Sequence, residues 1–91
     1  MQVQLFISQV ADFFDALVPK ASDDELFASG YLRGHVDLAI GQRQVLEQEF
    51  AVAELKADID QSLQQAIANG ELNEQDQQLV LGLWAQVQQL S

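Results

Sequence analysis

The chain has no cysteine, one proline and only four basic side chains among its 91 residues. Without cysteine there are no disulfides, no thiolate-bound zinc or iron and no thiol nucleophile. No apolar run approaches the roughly 18 residues of a membrane span, and the N-terminal residues lack the basic stretch of a signal peptide. We therefore expect a cytoplasmic protein, with a single helical domain over residues 1–91.

Basic side chains are outnumbered by acidic ones: 4 Lys and Arg against 14 Asp and Glu give a formal net charge of −10. Nucleic-acid phosphates and anionic membranes are bound through Lys and Arg, which displace counterions. We therefore expect neither nucleic-acid nor membrane binding. Solubility is the simplest reason for the charge, and a basic protein partner or mimicry of a nucleic acid is the alternative.

Apolar residues recur at three- and four-residue spacing, which predicts helices, and no period-two alternation predicts strands. A first helix over residues 2–18 ends at Pro19. Ser22, followed three residues later by Glu25, is the signature of a capping box at the start of a second helix.

The end of the second helix is poorly marked and falls between Gln42 and Phe50, where the sequence has neither proline nor a decisive cap. A third helix then stops at Asn69-Gly70, and Asn73 caps a fourth. Short connections favour antiparallel neighbours. The predicted fold is an all-α, single-domain antiparallel bundle of about four helices.

The second helix is apolar over more than a third of its circumference, so we expect it to lie at the centre of the bundle. The apolar sweep comprises Phe27, Ala28, Tyr31, Leu32, His35, Leu38 and Ala39. Of these, Phe27, Tyr31 and Leu38 are predicted to build the core. Ser29, Arg33 and Asp37 form the narrow polar strip that remains.

Candidate catalytic side chains are confined to Tyr31, Arg33, His35 and Asp37, since no nucleophile elbow, phosphate loop or dinucleotide motif is present. At 100° per residue, Tyr31 and His35 lie within about 40° of each other on the helix. Arg33 and Asp37 do so on nearly the opposite side, as a predicted surface ion pair. The four cannot converge, so no catalytic residue or cofactor is assigned. A small-molecule or enzymatic site around Tyr31 and His35 is the alternative, and it needs a pocket that exposes both.

No metal site is predicted. A di-iron bundle needs Glu-x-x-His on two helices, and the chain has one histidine. The stretch AIANGELNEQD resembles a calcium loop, but it lacks oxygen ligands at the first, third and fifth positions.

Three glycines, Gly30, Gly34 and Gly41, fall within about 40° of one helical face. Each costs roughly 0.5 to 1 kcal/mol relative to alanine, so a close contact should offset them. Packing within the chain is the favoured explanation, and contact with a partner or a ligand is the other. The leading functional hypothesis is a non-enzymatic protein-interaction module, acting as a homodimer or as an adaptor. Its candidate interface or pocket comprises Gly30, Tyr31, Arg33, Gly34, His35, Asp37 and Gly41.

The block ASDDELFASGYLRGH, the later NGEL turn and the LW pair in the last helix resemble the YfcL-like family of small bacterial proteins. The resemblance covers most of the chain, is most specific over residues 21–40 and fades over 41–58. It implies a small helical cytoplasmic protein and transfers no catalytic residue.

Overall fold

The computed structural model describes residues 2–91, and four helices account for most of this range. They are α1 Val3–Leu17, α2 Asp23–Val45, α3 Val52–Ala68 and α4 Glu74–Gln88. No strand occurs within residues 2–91. The all-α prediction is confirmed, and so is a break between the second and third helices inside the predicted interval.

The helix starts are fixed by side chains that satisfy free backbone N–H groups. Ser22 Oγ accepts from the backbone N–H of Glu25 at 3.2 Å, and Glu25 Oε1 accepts from the N–H of Ser22 at 3.2 Å. The bond from the backbone N–H of Ser22 to the Glu25 carboxylate, together with the Ser22 side chain, lowers the pKa of Glu25. Asn73 Oδ1 accepts from the N–H of Asp76 at 2.8 Å at the start of α4. Both predicted N-caps are confirmed.

The two long helices end in a left-handed residue. After α3 this residue is Gly70 (φ 76°), and the N–H of Gly70 donates to Ile67 O while that of Glu71 donates to Ala66 O. This pair of backbone hydrogen bonds is a Schellman motif. After α2 the left-handed residue is Glu47 (φ 55°), which has the Cβ that makes this conformation unfavourable.

Helices α2 and α3 run antiparallel, and so do α3 and α4, as the bonds between them show. From α2 to α3, His35 bonds Ser62 and Arg43 bonds Asp58, so residue numbers rise in one helix and fall in the other. From α3 to α4 the corresponding bonds join Asp60 to Trp84 and Lys56 to the carbonyl of Gln88. Helix α2 makes the main contacts with each of the other three helices, so its predicted central position is confirmed.

The core draws on all four helices. Its largest members are Phe6 and Phe14 of α1, Leu32 and Val36 of α2, Leu55, Ile59 and Leu63 of α3, and Val80, Trp84 and Val87 of α4. The Trp84 indole N–H donates to Asp60 Oδ1 at 3.2 Å, so its polar edge is satisfied at the rim of the core.

The core face of α2 was predicted only in part, since Ala28, Leu32 and Ala39 are buried but Phe27 and Leu38 are not. Its buried residues are Ala28, Ser29, Leu32, Val36 and Ala39. Phe27 and Leu38, expected in the core, are 51% and 58% exposed, and Tyr31 is half-buried. Ser29, expected on the polar strip, is buried. Phe27 and Leu38 lie more than about 100° around the helix from Leu32. Because α2 has apolar residues on almost every side, its composition does not determine which side meets the other helices.

Candidate functional site

One side of α2 is apolar and faces outward. It consists of Phe27, Gly30, Gly34, Leu38, Gly41 and Val45, which lie within about 40° of Gly34 around the helix; we call these six residues the α2 face. Phe27, Leu38 and Val45 are 51%, 58% and 80% exposed. The side of α2 that packs into the bundle lies opposite, so none of the helices within residues 2–91 covers the α2 face.

The glycines of the α2 face make no close contact inside the chain. A Cβ placed on Gly30, Gly34 or Gly41 would meet no neighbouring atom within 4 Å. The prediction that packing within the chain explains them was therefore wrong. Their grouping on one helical face is confirmed. Because they have no side chains, they leave hollows in the outer surface of α2.

Two shallow open depressions result, one on each side of Leu38. The first, of about 300 Å³, is lined by Gly30, Tyr31, Gly34, His35 and Leu38. The second, of about 470 Å³, is lined by Asp37, Leu38, Gly41, Gln42 and Val45. The α2 face is thus a row of projecting side chains and hollows.

Tyr31 and His35 form one edge of the first depression. Their ring centroids are 4.8 Å apart, which confirms that they are neighbours on the helix. The Tyr31 hydroxyl donates to Glu71 Oε1 at 2.9 Å. Partial burial, together with the hydrogen bond and negative charge of Glu71, raises the pKa of Tyr31 to about 12.

The histidine has a serine partner: His35 Nδ1 and Ser62 Oγ are 2.5 Å apart. A serine hydroxyl bonded to an imidazole is the arrangement of an activated nucleophile and its base. Ser62 lies inside α3, however, where backbone N–H groups are used by the helix and cannot form an oxyanion hole. Within the described residues no carboxylate bonds the His35 ring to orient it. The bond satisfies two half-buried polar groups and joins α2 to α3.

Arg33 and Asp37 do not pair with each other, contrary to the prediction. Arg33 Nη1 lies 3.1 Å from Asp15 Oδ1, and its guanidinium lies 5.7 Å from the centre of the Phe14 ring, so it reaches across to α1. Asp37 is exposed, and no cation among residues 2–91 lies within ion-pair distance of it. The seven candidate residues therefore divide: the glycines, Tyr31, His35 and Asp37 border the two depressions, and Arg33 faces α1.

Sequence reasoning missed an ion-pair group at the far end of α2. Arg43 Nε donates to Asp58 Oδ2 at 2.6 Å, Nη2 donates to Asp58 Oδ1 at 3.1 Å, and Nη1 lies 3.4 Å from Glu54 Oε2. The bond to Asp58 raises the pKa of Arg43. These three contacts hold the end of α2 against the start of α3.

No local pattern in the sequence indicates that these residues meet. Asp58 is 15 residues from Arg43, and Glu71, the partner of Tyr31, is 40 residues from it. One sequence taken alone contains no signal for such distant pairs.

Residues 2–91 form neither a metal-binding cluster nor a membrane-spanning helix. Among residues 2–91, no three Asp, Glu or His side chains are placed to hold a metal ion. None of the helices in this range is long and apolar enough to span a bilayer.

Comparisons with known proteins agree with the resemblance drawn from the motifs. A family model described as YfcL protein matches residues 4–89, from α1 to the end of α4. A protein of Escherichia coli (strain K12) named "Uncharacterized protein YfcL" is 47% identical over 79 residues, which cover 87% of this chain and 85% of that protein. No solved structure matches the chain.

Proposed function

The chain belongs to the YfcL family, and we propose that it is a non-enzymatic protein-interaction module that binds its partner through the α2 face. The observation that supports this is the exposure of Phe27, Leu38 and Val45 along one line of the central helix. Burying apolar surface of this kind contributes about 25 cal/mol per Å². A contiguous exposed apolar strip is a common mark of an interaction site.

The size and border of the α2 face support the same proposal. From Phe27 to Val45 it spans 18 residues of helix, about 27 Å at 1.5 Å per residue. Its border is polar, with Asp37 and Gln42 on the second depression and the Tyr31–Glu71 hydrogen bond near the first. An apolar centre with a polar rim is the usual anatomy of a protein–protein interface. Cytoplasmic location is part of the proposal and agrees with the lack of cysteine.

Two matched substitutions test this function. Leu38→Glu puts a charge in the centre of the α2 face, and Leu5→Glu puts the same charge on α1 at a leucine of similar exposure, 51% against 58%. Self-association is measured by light scattering and partner binding by affinity capture from native lysate.

We expect Leu38→Glu to weaken association by tenfold or more while the helical content is unchanged, and Leu5→Glu to leave association intact. A strictly monomeric wild type that captures no partner would remove the proposal. Equal association by wild type and the Leu38→Glu variant would also contradict it.

A second candidate is a small-molecule or enzymatic site around Tyr31 and His35, which border an open depression. Its hydrolytic form rests on the 2.5 Å contact between His35 and Ser62. Its hydrolytic form predicts that a fluorophosphonate probe labels Ser62. The labelling must disappear in Ser62→Ala and fall in His35→Ala. An unlabelled wild-type protein would eliminate that form of the candidate.

A further inference from the structure

We propose that the partner seated on the α2 face is a second copy of this chain, with the two α2 helices packed antiparallel and crossing near Gly34. This inference rests on the proposed function and adds the identity and direction of the partner. It follows from shape: when the α2 faces of two copies are packed against each other, the projecting side chains of one copy match the hollows of the other.

The projections and hollows occur in a set order. Phe27 is followed by the low positions Gly30 and Gly34, then by Leu38, the low position Gly41 and finally Val45. The depressions on both sides of Leu38 are open to the outside. A partner must therefore bring one projecting apolar group for each hollow and a hollow for Leu38.

An antiparallel copy related by a two-fold axis at the level of His35 meets these requirements. Leu38, three residues after the axis, then lies level with the space between the copy's Gly30 and Gly34, which is the first depression. Phe27, eight residues before the axis, lies level with the space between the copy's Gly41 and Val45, which is the second depression. By symmetry the copy's Leu38 and Phe27 fill the depressions of the first chain.

A parallel pair does not have this match. In register, Leu38 would meet the copy's Leu38, and glycine would meet glycine, so the projections collide and the hollows stay empty. An antiparallel pair also sets the helix dipoles in opposition, which is favourable. The shape of the face therefore selects the antiparallel arrangement.

Charges beside the face agree with the same register. Arg33 lies two residues before the proposed axis and Asp37 two residues after it, within about 40° of each other around the helix. Each is therefore level with the oppositely charged residue of the copy and on the same side of the contact. Asp37, which has no cation partner among residues 2–91, gains one. Arg33 keeps further N–H donors beside the one that bonds Asp15.

The expected affinity is modest. Each copy has a formal net charge of −10, so the two repel at long range, although salt at physiological strength screens this repulsion beyond about 8 Å. A contact along about 27 Å of one helix lies at the small end of specific interfaces. We expect a dissociation constant on the order of micromolar.

Cysteine crosslinking tests the partner and the direction together, because the chain has no cysteine of its own. Gly30→Cys and Gly41→Cys are suitable, since the space at both positions is open within the chain. In the proposed register, Gly30 lies about 1.5 Å from the copy's Gly41, measured along the helix axis. Gly30 is about 15 Å from the copy's Gly30, and Gly41 about 18 Å from the copy's Gly41.

We expect a mixture of the two variants to form a mixed disulfide dimer on mild oxidation, and each variant alone to form little. Adding Leu38→Glu should abolish the crosslink, and adding Leu5→Glu should not. Efficient crosslinking of each variant with itself would overturn the antiparallel arrangement. A dimer seen by light scattering without the mixed crosslink would also overturn it.

Failure of this inference is distinguishable from failure of the proposed function. If the wild type stays monomeric by light scattering at about 1 mM, far above the expected micromolar constant, the second copy is refuted as partner. The proposed function then survives only if another protein binds the α2 face in a Leu38-dependent way, with a basic helix as the first candidate. If no association depends on Leu38, both are refuted.

Discussion

Replacing Gly34 by alanine should stabilise the fold of the single chain. Glycine inside a helix is about 0.8 to 1 kcal/mol less favourable than alanine. A Cβ at Gly34 would meet no atom within 4 Å, so no clash offsets this gain. We therefore expect the free energy of unfolding to rise by about 1 kcal/mol, or the melting temperature by about 4 to 8 °C for a domain of this size. Association should weaken at the same time, because the methyl group lies at the proposed crossing point.

The two effects are separated by measuring stability in a Leu38→Glu background, which is expected to be monomeric. Urea unfolding is followed by far-UV circular dichroism and by the fluorescence of Trp84, the only tryptophan, which is 3% exposed. Gly70→Ala is the matched control: its surroundings are equally open, but its φ of 76° is unfavourable for alanine. It should lose about 1 kcal/mol. A fall in stability for Gly34→Ala would refute the reasoning, since it would require a close neighbour of Gly34 inside the chain.

Three further predictions concern the fold around α2. Ser22→Ala removes the side-chain acceptor of the capping box and should lower the free energy of unfolding by about 1 kcal/mol in urea titrations; an unchanged midpoint would contradict the cap. Tyr31 is the only tyrosine, so absorbance titration should give a midpoint near pH 12; a midpoint near 10 would contradict its partial burial and its bond to Glu71. Because folding raises this pKa, the contribution of Tyr31 to the free energy of unfolding is complete below about pH 10 and is lost as the pH rises through about 12. The Tyr31→Phe variant should not show this loss. Leu63→Ala, at a fully buried position, should cost about 2 to 5 kcal/mol by the same urea measurement, and a cost below 1 would contradict its burial.

Most helix ends could be predicted from the sequence because they are marked locally. The residues that mark these ends act on backbone groups only a few positions away: Ser22 with Glu25, Asn73, and the Asn69-Gly70 pair. The end of α2 could be placed only to within several residues. Its left-handed terminal residue is Glu47, where glycine would have marked the position.

The candidate site could be predicted in part, since helical periodicity is local but packing is not. Periodicity correctly grouped the three glycines and placed Tyr31 beside His35. It could not determine which side of α2 enters the core, because apolar residues surround that helix, and so Phe27 and Leu38 were assigned to the wrong side. Which side of α2 faces the core depends on residues of α1, α3 and α4, which lie far away in the sequence.

Carrying a core side and an outward apolar side on one helix restricts how α2 can change in length. A residue inserted or deleted within Asp23–Val45 would rotate everything after it by about 100° and misalign both sides at once. The α2–α3 connection, residues 46–51, has no such restriction, and only Phe50 in it is partly buried. Insertions between Gln48 and Glu49 should therefore be tolerated, which makes this connection the place for a fluorophore or peptide tag that reports association without touching the α2 face.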